Sequence, residues 1–219
     1  MTDTKFKAVI FDLDGTLLDT LDDISSSMNR ALVRHGFPVH PPADYKLFVG
    51  DGMETLARRV VPADQCTEST VKSCVAAMRV EYGLHWADKT EPYPGIREML
   101  DALATRNLIL GVLSNKPDDF SKAVVARFFP AVKFGAVAGA KAGIPIKPNP
   151  ASAIAMAAAL GLEPGRCVFV GDTNVDMQTA VGAGMFPVGV LWGFRTGKEL
   201  SESGAKLLIE KPSDLLHIL

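Results

Sequence analysis

Residues 5–17 read Lys5-Phe6-Lys7-Ala8-Val9-Ile10-Phe11-Asp12-Leu13-Asp14-Gly15-Thr16-Leu17. A short apolar run containing Val and Ile stops abruptly on an acid. Such a run fits a buried strand of a parallel sheet that feeds an acidic loop at its carboxyl end. The same arrangement recurs downstream. Leu108 to Leu113 (LILGVL) ends on Ser114-Asn115-Lys116, and Cys167 to Val170 (CVFV) ends on Gly171-Asp172. Shorter strand candidates are Ala136 to Ala138, Pro187 to Leu191 and Leu207 to Ile209.

Helical patterns separate these runs. Ile96, Met99, Leu100 and Leu103 share one helical face after Pro94-Gly95. Pro117-Asp118-Asp119 predicts another helix start, with Phe120, Val124 and Phe128 as its apolar stripe. Ala151 to Leu160 reads as an alanine-rich helix stopped by Gly161. Strands alternating with helices predict an α/β fold, a Rossmann-like doubly wound parallel sheet with helices on both faces.

Residues 19–92 break that alternation and read as helical. Leu21, Ile24, Met28, Leu32 and His35 share a face; Thr20 with Asp23 resembles a capping box, and Gly36 can end the helix. Val71, Cys74, Val75, Met78 and Tyr82 form a second stripe. Tyr45 to Val49 is a weak strand candidate. The chain is therefore expected to comprise a discontinuous α/β core, 1–18 and 93–219, with a helical cap inserted at 19–92. Asp19 to Leu21 and Val80 to Glu91 are the expected hinges. This division resolves the 219 residues into a core of about 145 and a cap of about 75, each a plausible domain size.

Composition narrows the function classes. With 23 basic and 25 acidic residues the net charge is −2, so nucleic acid is not the expected partner. Cys66, Cys74 and Cys167 form neither a disulfide framework nor a C-x-x-C metal site, and scattered thiols suit a cytoplasmic protein. The N-terminus, with Asp3, Asp12 and Asp14, does not read as a signal peptide. The longest uncharged run, Met177 to Phe194, is broken by Gly182, Gly184, Pro187, Gly189 and Gly193, which argues against a membrane span.

Ligands of open parallel sheets bind at the carboxyl ends of the strands. Asp12, Asp14, Ser114, Asp172 and Asp176 are thus expected to converge. Carboxylates meeting in a cleft repel one another. An all-oxygen set of this kind selects a hard divalent cation, magnesium (Mg2+) above all. Magnesium retains positions for water and phosphate oxygens, which points to phosphate chemistry. Lys147, ahead of Pro148 and Pro150, can add a fixed positive charge.

Four segments, in order and spacing, resemble the motifs of the haloacid dehalogenase-like hydrolase superfamily. They are Asp12-Leu13-Asp14-Gly15-Thr16-Leu17, Ser114-Asn115, Lys147-Pro148-Asn149-Pro150 and Gly171-Asp172-Thr173-Asn174-Val175-Asp176. The helical insert is similar to the α-helical cap of the phosphoglycolate phosphatase-like subfamily. So are Tyr93-Pro94-Gly95, Val49-Gly50-Asp51-Gly52 and Trp192-Gly193-Phe194-Arg195. The resemblance implies a small phosphomonoester as substrate and Asp12 as a nucleophile that becomes an aspartyl-phosphate. It implies Asp14 as general acid and base. Asp12, the Asp14 backbone carbonyl and Asp172 would hold Mg2+, with Asp176 orienting a metal-bound water or Lys147. Ser114, Gly15, Thr16 and Asn115 would contact the phosphoryl oxygens, with Lys147 neutralising them. An acid at position 14 favours phosphoryl transfer over dehalogenation.

Several residues carry a second reading. Asn115 can simply shape a turn. Gly50 and Gly52 read either as a helix-capping turn or as a substrate-facing loop. Trp192 and Phe194 read as packing, Arg58 and Arg59 as solvated charges, and the four histidines as structural or exposed. Rival functions are a phosphomutase of the β-phosphoglucomutase type, a pyrophosphatase or nucleotidase of the same superfamily, and a signalling module that accepts phosphate on an aspartate. A monomer or homodimer is expected.

Overall fold

The computed structural model describes residues 6–219. Lys5, at the start of the expected first strand, lies outside the described residues, as does Asp3. The elements in chain order are β1 (Ala8–Phe11), β2 (Leu18–Asp19), α1 (Leu21–Arg34), α2 (Tyr45–Phe48), α3 (Gly52–Val60), α4 (Glu68–His85) and β3 (Glu91–Pro92). Then follow α5 (Ile96–Ala104), β4 (Ile109–Pro117), α6 (Asp118–Phe128), β5 (Phe134–Ala140), α7 (Ala151–Ala159) and β6 (Cys167–Gly171). The chain closes with α8 (Asn174–Ala183), β7 (Phe186–Val190), α9 (Gly197–Glu202) and β8 (Leu207–Ile209).

β1, β4, β5, β6, β7 and β8 make one sheet in the order β5-β4-β1-β6-β7-β8, every pairing parallel. The chain is an α/β protein with a doubly wound, Rossmann-like sheet and a helical insertion. Because side chains alternate along a strand, β1 feeds both faces. Val9 and Phe11 join the layer containing Met99, Leu100 and Leu103 of α5 and Val124 and Phe128 of α6. Ala8 and Ile10 join Ala153 and Met156 of α7 and Ala180 and Ala183 of α8. That two-sided burial is why the strand is apolar throughout.

The insertion has its own apolar cluster, centred on Met28, Leu32, Leu56, Val60, Met78 and Tyr82. The chain enters it through β2 and leaves through β3, which pair antiparallel, Leu18 against Pro92 and Asp19 against Glu91.

Four local expectations are revised. Tyr45 to Phe48 is a helical turn rather than a strand. Its aromatic residues pack on one another and on His40, and these contacts override their strand preference. The first half of the expected hinge at Val80 to Glu91 is helix, since α4 runs to His85. β4 does not stop at Leu113 but continues through a register irregularity to Pro117, where Pro117 pairs with Ala140. Thr20 and Asp23 form no capping box. The Thr20 side chain makes no capping bond, and the Asp23 carboxylate instead accepts from the Lys89 amide at 3.0 Å, the Thr90 amide at 2.8 Å and Thr90 Oγ1 at 2.7 Å. Asp23 therefore ties the entry of the insertion to its exit.

Candidate active site

Asp12 follows directly on β1, and its amide donates to the Val170 carbonyl at 2.9 Å. Phe11 lies level with Val112 of β4 and Val170 of β6. Three adjacent strands thus deliver Asp12, Ser114 to Lys116 and Asp172 to one sheet edge, where open α/β folds bind ligands.

Lys147 comes from the loop after β5 and is buried. Its Nζ donates to Asp12 Oδ1 at 2.8 Å and to Asp176 Oδ1 at 2.6 Å. The other oxygen of Asp176 accepts from the Thr173 amide at 3.0 Å and Thr173 Oγ1 at 2.7 Å, a capping box that starts α8. One carboxylate therefore both caps a helix and orients a lysine. Lys147 is held at its backbone as well. The Asn115 side chain donates to the Lys147 carbonyl at 2.8 Å and accepts from the Lys147 amide at 2.9 Å. The same Asn115 amide group reaches the Gly50 carbonyl of the insertion at 3.0 Å. Its side chain is thus committed to backbone groups of Lys147 and Gly50.

Asp172 is fully buried at the end of β6. Thr16 Oγ1 donates to its Oδ1 at 2.9 Å and the Phe194 amide to its Oδ2 at 2.8 Å. Gly15, at φ +87°, lies so close that a Cβ there would stand 2.3 Å from Asp172 Oδ2. Only glycine fits, on both conformational and steric grounds. Trp192 Nε1 donates to the Thr16 carbonyl at 3.0 Å.

Carboxylate oxygens of Asp12, Asp172 and Asp176 lie within 4.8 Å of one another. Asp14 is bound elsewhere. Lys116 Nζ donates to its Oδ1 at 2.6 Å and its Oδ2 at 2.8 Å. Four carboxylates and two ammonium groups thus share the site, leaving two negative charges unbalanced. Burial pushes the Asp12 carboxyl up to about 7, against the pull of Lys147 and with help from Asp176 and Asp14. Asp172 is also raised well above the usual carboxylate range, by burial first and then by Asp176 and Asp12. Buried like charges of this kind are what a hard divalent cation relieves, so the donor set fits one. Burial disfavours the charged forms of Lys116 and Lys147, but their carboxylate partners reverse the effect and both are raised overall.

A cleft of about 500 Å³, counting its open mouth, lies between the sheet edge and the insertion. Asp12, Asp14, Ser114, Asn115 and Lys116 line its floor. Its roof is Ile24, Val49, Met53, Leu56, Met78 and Tyr82, with Gly50 and Gly52 at the side. Of the positions expected in the site, Gly15, Thr16, Lys147, Asp172 and Asp176 do not line this cleft; Lys147 bonds Asp12 and Asn115 of its floor, and Asp176 bonds Lys147. Ser114 Oγ accepts from the Lys116 amide at 3.2 Å. Lys46 does not line the cleft, and Arg58 and Arg59 are engaged with Glu54, Glu68 and Asp51.

A profile of the haloacid dehalogenase-like hydrolases matches residues 9–190. The chain belongs to the haloacid dehalogenase-like hydrolase family. Among its relatives in that family is a phosphoglycolate phosphatase of Haemophilus influenzae strain 86-028NP, 31% identical over 222 residues, with 99% of each chain covered. A solved structure from Lactobacillus delbrueckii subsp. bulgaricus, provisionally assigned as a phosphoglycolate phosphatase, superposes with a TM-score of 0.92 at 31% identity, covering 99% of each chain. One from Haemophilus somnus 129PT, with the same provisional assignment, gives 0.91 at 30% identity. This haloacid dehalogenase-like protein is accordingly an enzyme, a phosphoric monoester hydrolase. No helix among its described residues is long and apolar enough to cross a membrane.

Three residues that the geometry joins to the site have no site role in the sequence reading. Lys116 pairs with Asp14, Tyr82 closes over Lys116, and Phe194 holds Asp172 through its amide. For Lys116 the signal was its place directly after Ser114-Asn115 at a strand end.

Proposed function

We propose that the protein is a Mg2+-dependent phosphatase that hydrolyses a small phosphomonoester through an aspartyl-phosphate on Asp12, with phosphoglycolate as the first candidate substrate. The observation that carries the reading is Asp12 at the end of β1, bonded to buried Lys147, with Asp172 and Asp176 beside it and Asp14 two residues on. The relatives named above supply the candidate substrate.

In this reading Asp12 attacks phosphorus as the bond to the leaving oxygen breaks. Asp14, on the floor of the same cleft, gives that oxygen its proton. Asp14 then takes a proton from water as that water displaces phosphate from Asp12, which leaves Asp12 a carboxylate and Asp14 protonated as at the start. Lys147 balances negative charge on Asp12 and on the phosphoryl group. Ser114 and the amides near Gly15 and Asn115 hold phosphoryl oxygens. Asp12, Asp172 and the Asp14 carbonyl would hold Mg2+, with Asp176 positioning Lys147 from behind; when bound, the cation supplies positive charge that offsets the repulsion between carboxylate and phosphate. Residues 19–92 act as a cap that excludes water and selects the leaving group. The insertion's part of the cleft wall carries no cationic side chain, which favours hydrolysis over a mutase needing a second phosphate cradle. The free thiols of all three cysteines suit a cytoplasmic setting.

The test is phosphate release across a panel of phosphometabolites, phosphoglycolate included, with magnesium and with chelator. Release that requires the cation supports the reading. No release from any compound, or release indifferent to chelation, overturns it.

A further inference from the structure

We propose that Lys116 is a positioning residue for Asp14, and that Tyr82 of the insertion completes its seat; the proposal rests on the phosphatase reading above. The Lys116 side chain is 3% exposed, and its ammonium bonds both oxygens of Asp14, at 2.6 and 2.8 Å. A carboxylate gripped at both oxygens cannot rotate, so its bearing on the cleft is set by the lysine. The grip comes from far along the chain, since Lys116 lies on β4 and Asp14 follows β1.

The lysine's other face is covered by the insertion. Its Nζ lies 4.7 Å from the centre of the Tyr82 ring, within cation–π range. Tyr82 is fully buried and wedged edge-on against Phe120 of α6, ring centres 5.1 Å apart. The Tyr82 side chain thus bears directly on the Lys116 ammonium. Tyr82, Lys116 and Asp14 therefore form one stack running from the insertion to the candidate acid. Docking of the insertion fixes the lysine, and the lysine fixes the acid.

A residue that acts through the acid is needed in proportion to how much the leaving group needs a proton. Two ring-bearing substrates of similar bulk separate this from other roles. Benzyl phosphate departs as an alkoxide that requires protonation; p-nitrophenyl phosphate departs as a stable phenolate. Lys116→Met is expected to lower kcat on benzyl phosphate about 30-fold or more and on p-nitrophenyl phosphate only a few-fold. Lys116→Arg, which can still reach both oxygens, should recover part of the benzyl loss. Tyr82→Leu, which removes the ring, should shift the ratio of the two rates in the same direction, and by more than Tyr82→Phe, which keeps it. Should the lysine variants fail to fold, the two tyrosine variants decide the matter alone.

Equal losses on both substrates would overturn the proposal, because Lys116 would then serve the phosphoryl group itself. So would an unchanged ratio with a raised KM confined to a carboxylate-bearing substrate such as phosphoglycolate. Failure of the wild-type enzyme to release phosphate from either ring-bearing compound with magnesium would instead count against the phosphatase reading.

Discussion

Phe194 donates its amide to Asp172 Oδ2 at 2.8 Å while its ring lies buried in the apolar cluster of the helical insertion. One residue thus belongs to two structures, the acidic cluster on the sheet edge and the core of the inserted helices. The next residue reinforces the link, since Arg195 Nη2 donates to the Val49 carbonyl at 3.0 Å. Phe194→Ala should therefore have a double effect. Truncating a buried phenylalanine costs about 3–5 kcal/mol, and loosening the segment should weaken cation binding at Asp172. Thermal unfolding with and without magnesium measures both; a variant with normal cation affinity would show that the amide keeps its place without the ring.

Lys147→Met should remove the only ammonium bonded to Asp12 and Asp176 among the described residues. Turnover should fall by about 100-fold or more, in line with loss of a preorganised electrostatic group. The cation-free protein should also unfold at a lower temperature, because two buried carboxylates lose their partner. Single-turnover kinetics and calorimetry check the two parts separately.

Gly15→Ala should damage the site without replacing a charged residue. The added Cβ would press on the Asp172 carboxylate at 2.3 Å in a backbone conformation that alanine resists. The expected result is a large fall in cation affinity with retained secondary structure, read by magnesium titration and circular dichroism. Unchanged affinity would mean that the loop shifts freely around Asp172.

Asp12 gives the cation-free protein a signed dependence on pH. Burial first, opposed by Lys147 and aided by Asp176 and Asp14, raises its carboxyl to about 7. The unfolded chain ionises the same group near the usual value of about 3.9. Its contribution to stability is therefore complete below that value and is lost as pH rises toward about 7. Wild type should lose melting temperature relative to Asp12→Asn between about pH 5 and pH 7.5, and magnesium should restore more of it at the upper end. Parallel curves for the two proteins across that range would refute the assignment.

Asp12→Asn should abolish turnover, and Asp14→Asn should leave less than about one per cent, as loss of acid catalysis implies. Phosphate release by the purified variants decides. A near-normal rate in either would remove that residue from its proposed role.

The parts of this site that could be read from sequence are those written as strand ends. Asp12, Ser114 and Asp172 follow apolar runs, and the parallel sheet makes such positions converge whatever lies between them. Asp176 was legible because it falls one helical turn past Asp172. Lys116 paired with Asp14 was not legible, since the contact depends on how far β4 continues past Leu113, which its pairing with β5 decides. The same limit explains Thr20 and Asp23. Their spacing matches a capping box, but Asp23 meets the amides of Lys89 and Thr90, brought back by the whole length of the insertion. Tyr45 to Phe48 looked strand-like from residue type alone, and its packing on His40 and the neighbouring aromatics makes it a helical turn.

The pairing of Leu18 with Pro92 and of Asp19 with Glu91 has an evolutionary consequence. The chain departs from the sheet and returns to it at a single point, so the two junctions are neighbours. A different segment whose ends meet at that spacing can be spliced in without altering the order of the six strands or the carboxylates at their tips. A replacement segment would have to supply again the ring that Tyr82 sets over Lys116.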